Sequence, residues 1–331
     1  MSKAHIQEKT ESFVIRYPEA VQFMEDQLDI FWTAKEVNVE KDIASILTDF
    51  TESEKHGVIT TLKLFTLYEL KAGSDYWTGR FMRMFKRPEI QAMAATFGMF
   101  ELAVHKPFYN KINELLHINT DEFYESYVTD PLLKSRMDFI DSVVNSKNDL
   151  VSIAGFSMIE GAILYSSFAF LKHFQSNGKN KLTNMVRGVS FSIRDEQLHS
   201  LAGAWAFKSL KAQMKLKSSH EEALLDDVIE MAEAIYEHES HIIEMIFEKG
   251  DIENCDKDDL KSFVKSRINI CLTQLGYAEL FVVESNKIAD YFYKGIKNYG
   301  FNDAFVGMSN EYKRSWDESK FIIKGKFKND N

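Results

Sequence analysis

Proline, glycine and cysteine are all scarce in this chain of 331 residues, and each scarcity excludes something. With 4 Pro and 15 Gly, and no Pro-, Gly- or Ser-rich linker, nothing divides the chain into separate units. One large domain over 1–312 is expected, with a charged tail over 313–331 that has no sustained apolar face. The two cysteines, Cys255 and Cys271, form neither a CxxC pair nor a disulfide framework, which points to a reducing cytoplasm. No P-loop and no GxGxxG occurs, so no nucleotide-phosphate cradle is expected. The N-terminus, Met1 to Lys9, is polar and lacks an apolar signal core. No apolar run approaches the ~20 residues of a membrane span, so a soluble protein is expected. A net charge of −10 argues against nucleic acid or an anionic membrane surface as the main partner.

Hydrophobic residues make up 45% of the chain and Phe alone numbers 26, which suits a thick helical core with aromatic layers. Apolar residues recur at three and four almost throughout, and alternation of period two is rare. A first helix is expected from Pro18 to about Trp32, with Val21, Met24, Leu28 and Phe31 on one face. Thr51-Glu52-Ser53-Glu54 reads as a capping box, and the stripe that follows runs Val58, Leu62, Phe65, then Glu69. A third helix spans Pro88 to Leu116 with Pro107 inside it; Pro131 opens a fourth, and a fifth covers Leu150 to Phe174. Asn177-Gly178-Lys179-Asn180 is the clearest loop. Helices over 182–216, 220–249 and 257–290 follow.

The most informative stretch is Ile193-Arg194-Asp195-Glu196-Gln197-Leu198-His199. Glu196 and His199 stand three apart, on one helix face, within reach of one ion. Alone they could equally be a surface pair. Other helices, however, offer Glu69, Glu101 with His105, and Glu160. Glu160 lies in the otherwise uncharged run Phe156 to Phe170, where an ionised carboxylate is costly unless a cation compensates it. Four carboxylates and two imidazoles suit two divalent ions ~3.5–4 Å apart, iron or manganese rather than zinc.

In this order the motifs resemble the small, radical-generating subunit of class I ribonucleotide reductase, in the ferritin-like superfamily. The resemblance runs from Phe31-Trp32 to Tyr312. It rests on Phe31-Trp32 before Glu36-Val37, Glu54-Lys55-His56 before Leu67-Tyr68-Glu69, and His105 with Tyr109. Ile159-Glu160-Gly161 before Ser167-Phe168-Ala169, and Arg194-Asp195-Glu196 with His199, complete it. It implies an all-α ferritin-like bundle with additional helices and a flexible C-terminal tail. Glu69, Glu101 and His105 would hold one metal; Glu160, Glu196 and His199 would hold the other. The pair would be di-iron, di-manganese or mixed. Tyr109 would carry a stable radical, sheltered by apolar neighbours such as Leu164 and Phe168. Asp195 would orient His105 and, with Trp32, begin the electron path to a separate large catalytic subunit. Tyr312 would be the outer relay, with Trp316 as the other redox-capable residue. The partners implied are that large subunit and a second copy of this chain, with a flavoprotein activase as an optional third.

One motif departs from the family pattern. The usual Glu-x-x-His is here Glu101-x-x-x-His105. Pro107 removes the bond to the carbonyl of Ala103, and a one-residue π-bulge there would restore the orientation of both side chains. Glu69 stands where the family more often has Asp. Each residue also has an ordinary structural reading: Glu69 as a rim acid, Tyr109 as a core phenol, Trp32 as core. Glu237-His238-Glu239-Ser240-His241 looks metal-like, yet its charged surroundings favour a solvated helix face. The rival functions are a dimetal oxidase with its own substrate and a non-catalytic metal-binding helical protein.

Overall fold

The computed structural model describes residues 5–283 and 286–297. Among these residues helix is the only extended regular structure, joined by loops and turns, with one isolated bridge between Ile252 and Cys255. Tyr312, Trp316 and the tail over 313–331 lie outside the described residues.

The order of elements is α1 (Pro18–Asp29), a short 3-10 turn (Ala34–Glu36), α2 (Glu40–Thr48) and α3 (Glu52–Leu70). The predicted capping box opens α3: Thr51 Oγ1 accepts the Glu54 N–H at 3.2 Å, and the Glu54 carboxylate accepts the Thr51 N–H at 3.0 Å. The rod then runs on through a π-helical segment, Lys71–Phe81, into a last turn, α4 (Met82–Met84). Next, α5 (Pro88–Phe100), a π-helical segment (Glu101–His105) and α6 (Lys106–Leu115) form one continuous rod. Then come α7 (Asp121–Thr129), α8 (Pro131–Val144), α9 (Asp149–Ala162) and α10 (Tyr165–His173). The last four are α11 (Thr183–Met214), α12 (Ser218–Ile246), α13 (Lys257–Leu275) and α14 (Lys287–Lys297).

The centre of the bundle is α9, packed along its length on α11 and flanked by α8, α12 and α13. Every residue from Ser152 to Ala162 is buried. A helix that is apolar on all sides belongs in the middle of a thick core. The stretch Asp149–His173 has the length and apolarity of a membrane span, contrary to the sequence expectation, but its most apolar 18-residue window is wholly buried inside the protein.

Several predicted elements needed correction. On α1 the buried residues are Ala20, Phe23 and Gln27, one position before the predicted stripe, while Leu28 and Phe31 are half exposed. Hydropathy misplaced this face because a glutamine points inward. The fifth helix is two, broken at Ile163–Leu164. The helix expected over 257–290 stops at Gly276, whose φ of +92° suits glycine and ends the helix as a left-handed cap. The short α2 and α7 were not foreseen. The loop at Asn177 to Asn180 is as expected, with left-handed φ at Asn177, Gly178 and Asn180.

Candidate metal centre

The four predicted helices deliver their side chains to one place. Glu69 comes from the last turn of α3, Glu101 and His105 from the π-helical segment, Glu160 from α9, and Glu196 and His199 from α11. All six are buried. They fall into two groups whose ligating atoms lie within 4.8 Å of one another: Glu69, Glu101, His105 and Glu196; and Glu101, Glu160, Glu196 and His199. Glu101 and Glu196 belong to both groups, so each carboxylate reaches two positions. This refines the sequence assignment, which gave every ligand to one ion.

The π-helical turn accounts for the unusual spacing. One extra residue is taken up between Glu101 and His105, and the helix continues in register on either side. His105 Nδ1 lies 3.0 Å from Glu101 Oε2, 3.5 Å from Glu69 Oε2 and 3.4 Å from Glu196 Oε1. His199 Nδ1 lies 2.7 Å from Glu101 Oε1 and 3.5 Å from Glu160 Oε2.

The outer nitrogens fix both rings. Asp195 Oδ2 accepts from His105 Nε2 at 2.9 Å and from Trp32 Nε1 at 2.7 Å. Asp195 Oδ1 accepts from Gln27 Nε2 at 3.0 Å, which orients the Gln27 amide so that its oxygen accepts from His199 Nε2 at 3.0 Å. Each imidazole therefore keeps a proton on Nε2, and Nδ1 is the atom that faces the carboxylates and would be free to ligate a metal once its own proton leaves. Trp77 Nε1 donates to Glu160 Oε1 at 3.1 Å. Gln27 and Trp77 were missed in the sequence. Gln27 had one available signal: an uncharged polar residue five positions before Trp32, on a helix whose other polar residues are mostly charged.

Taken by themselves the side chains repel one another. Burial, then the neighbouring Glu101 carboxylate, pushes Glu69 and Glu196 well above the ordinary carboxylate range. Burial opposes ionisation of Glu101 too, but His105 and His199 overcome it and hold that carboxyl low. Burial would lower His199; Glu101 and Glu160 instead raise it to about 9. Both oxygens of Glu69 and Glu196, one each of Glu101 and Glu160, and His199 Nδ1 have no well-formed hydrogen bond. Buried polar atoms left in this way call for cations. Four carboxylates and two neutral imidazoles are neutralised by two divalent ions, and the oxygen-rich donor set suits iron or manganese.

Tyr109, on α6, is fully buried one turn beyond His105. Its ring stacks on Phe65 at 4.2 Å between centroids and lies 4.9 Å from Phe108. Phe168 stacks on Phe65 in turn, at 5.3 Å. Shelter for the phenol thus comes first from Phe65, ahead of the Leu164 and Phe168 named from sequence. Its hydroxyl makes no well-formed hydrogen bond, and the hydroxyl of Ser192 faces it. Burial, then Glu69, holds the phenol well above its ordinary pKa.

The metal-like Glu237 to His241 stretch joins neither group. It is not wholly solvated either: Glu239 is fully buried and accepts from Arg136 at 2.8 Å.

Fold and site together define a dimetal-carboxylate protein built on a helical bundle. The chain belongs to the ribonucleotide reductase small-chain family, whose sequence profile matches residues 9–287. A probable ribonucleoside-diphosphate reductase small subunit of Invertebrate iridescent virus 3 is 26% identical over 279 residues, covering 78% of this chain and 72% of the viral one. Subunit beta of ribonucleoside-diphosphate reductase 2 from Escherichia coli K12 is 24% identical and covers 78% of each chain. Among solved structures, dimanganese(II)-NrdF of Streptococcus sanguinis superposes with a TM-score of 0.76 at 20% identity, covering 87% of this chain and 99% of that one. The R2 subunit of Clostridium botulinum ribonucleotide reductase gives 0.71 at 21% identity, covering 85% and 88%.

Proposed function

We propose that this chain generates and stores the oxidising equivalent of a class I ribonucleotide reductase and passes it to a separate large catalytic subunit. The observation that carries the reading is a buried set of four carboxylates and two imidazoles beside a caged phenol. Glu69, Glu101, His105, Glu160, Glu196 and His199 would hold two ions, iron, manganese or one of each. Bound there, the ions would draw an oxidising equivalent from dioxygen or a reduced oxygen species.

The chain's own residues do the rest. Tyr109 gives up one electron and one proton, and Phe65 and Phe108 keep water and reductants from the ring. Asp195 ties the inner imidazole of His105 to the indole of Trp32 through one carboxylate oxygen. That hydrogen-bonded chain leads from the centre to the segment after α1, where Phe31 is 50% exposed. We assign it to the electron path, with Tyr312 or Trp316 as the outer relay. A homodimer, a reducing cytoplasm and, where manganese is used, a flavoprotein activase complete the proposal.

The test is electron paramagnetic resonance with metal quantitation on the full chain loaded with Fe(II) or Mn(II) and then oxygen. A narrow tyrosyl signal with about two metals per chain, lost in Tyr109→Phe, is the expected result. Two metals without an organic radical would move the oxidising equivalent to the metals. No metal at all would overturn the site.

A further inference from the structure

The helix carrying Glu160 breaks immediately beyond it, at Ile163–Leu164, with no proline to cause the break. Three other helices hold the exposed backbone groups. Arg267 of α13 donates to the Gly161 carbonyl from Nε at 3.1 Å and from Nη2 at 2.9 Å. Arg136 of α8 donates to the Ile163 carbonyl at 2.6 Å, and Glu239 of α12 accepts the Ser166 N–H at 3.1 Å. Arg136 and Glu239 neutralise each other. Among the described residues Arg267 has no such carboxylate. It is fully buried, and its remaining contacts are Gln197 Oε1 at 2.8 Å, the Tyr293 hydroxyl at 3.0 Å and the Tyr165 ring at 4.0 Å.

A buried cation without a carboxylate is expensive, so what it touches is informative. Its two strongest acceptors are each one residue along from a metal-site carboxylate: Gly161 follows Glu160 on α9, and Gln197 follows Glu196 on α11. Elsewhere the two helices meet through a reciprocal pair, Ser157 Oγ on the Ser200 carbonyl at 2.7 Å and Ser200 Oγ on the Ser157 carbonyl at 2.8 Å. Gly161 is bare because a Cβ there would collide with Cys271 and Ser200. We propose that Arg267 is a positioning residue for the dimetal centre: its planar guanidinium clamps α9 to α11 and sets the separation of Glu160 and Glu196. One nitrogen, Nη2, donates to both helices, and the rigid plane holds it there through Nε on the Gly161 carbonyl and Nη1 on the Tyr293 hydroxyl, anchors that a lysine ammonium lacks.

This inference rests on the metal-site reading, and one experiment separates the two. Full-length protein is titrated with Mn(II), reading the affinity of each site and the spin coupling of the pair by electron paramagnetic resonance. The variants are Arg267→Lys, Gln197→Leu and, as a purely structural comparison, Asn269→Ala, whose amide ties only the backbone of Leu280 and Phe281. Gln197→Leu removes one arm of the clamp and keeps the buried cation, so it is the milder change. Both clamp variants are expected to weaken Mn(II) binding ~10- to 100-fold, as loss of outer partners of ligands does, and to alter the coupling. Asn269→Ala should lower the melting temperature and leave both unchanged. Gln197→Leu and Arg267→Lys with wild-type affinity and coupling would overturn the clamp. Wild-type protein that binds no Mn(II) pair would overturn the metal site itself.

Discussion

At the scale of single residues, the centre is governed by groups that never meet a metal. Gln27 is the clearest, because one amide accepts from His199 and donates to Asp195, the carboxylate that holds His105, and so links the outer supports of both imidazoles. Gln27→Met keeps the volume and removes both bonds. Metal affinity is expected to fall ~10- to 100-fold, measured by isothermal titration with Mn(II). An unchanged affinity would mean that the rings are held by the carboxylates alone. A second residue answers to pH. Lys172 is 4% exposed and its ammonium donates to Ser190 Oγ at 3.0 Å, and among the described residues no acid pairs with it. Burial lowers its pKa from 10.5 to about 8. Between those values the unfolded chain binds the extra proton, so stability attributable to this group rises with pH across that window. Below about 8 the cost is fully present, roughly 3 kcal/mol at 1.36 kcal/mol per pKa unit. Lys172→Met should therefore stabilise the protein at pH 7, and denaturant melts should show the gain shrinking from pH 8 toward 10.5. A gain independent of pH would assign it to packing instead.

At the scale of elements, two irregularities shape the site. The π-helical segment absorbs one residue between Glu101 and His105. Deleting Ala103 should return the rod to plain α-helix with Glu101 and His105 still facing the same way, three apart. Metal stoichiometry is expected to survive. Deleting Ala94, in the regular part of α5, should rotate everything beyond it by ~100° and abolish metal binding. If both deletions behave alike, the π-turn is not what sets the register. The break between α9 and α10 has a different origin, because buried charged side chains from α8, α12 and α13 capture the freed backbone groups.

For the whole molecule, the centre is a concentration of like charge in the middle of the core. Two bound cations should relieve it and add folding stability by mass action, ~2.7 kcal/mol for each site at a hundred times its dissociation constant. Thermal melts with and without Mn(II) or Fe(II), and again after chelation, should show a higher midpoint in the loaded protein. Equal midpoints would mean that the carboxylates carry protons that offset their repulsion just as well.

The amino-acid sequence by itself determined the helical periodicity and the helix starts at Thr51 and Pro131, because each rests on residues a turn or two apart. It also singled out the six clustered acids and imidazoles, while missing the buried Glu239. Glu160 was legible for a simpler reason: nothing nearby could neutralise it. Even the π-turn could be expected from one surplus residue beside Pro107. The tertiary structure alone decided that Glu101 and Glu196 belong to both groups of close ligand atoms, that Phe65 is the first cover of Tyr109, and that Gln27 turns inward. It also decided where α9 ends. These depend on contacts between distant parts of the chain, as when Gln27 meets Asp195 168 positions away, and no local pattern of hydropathy encodes them.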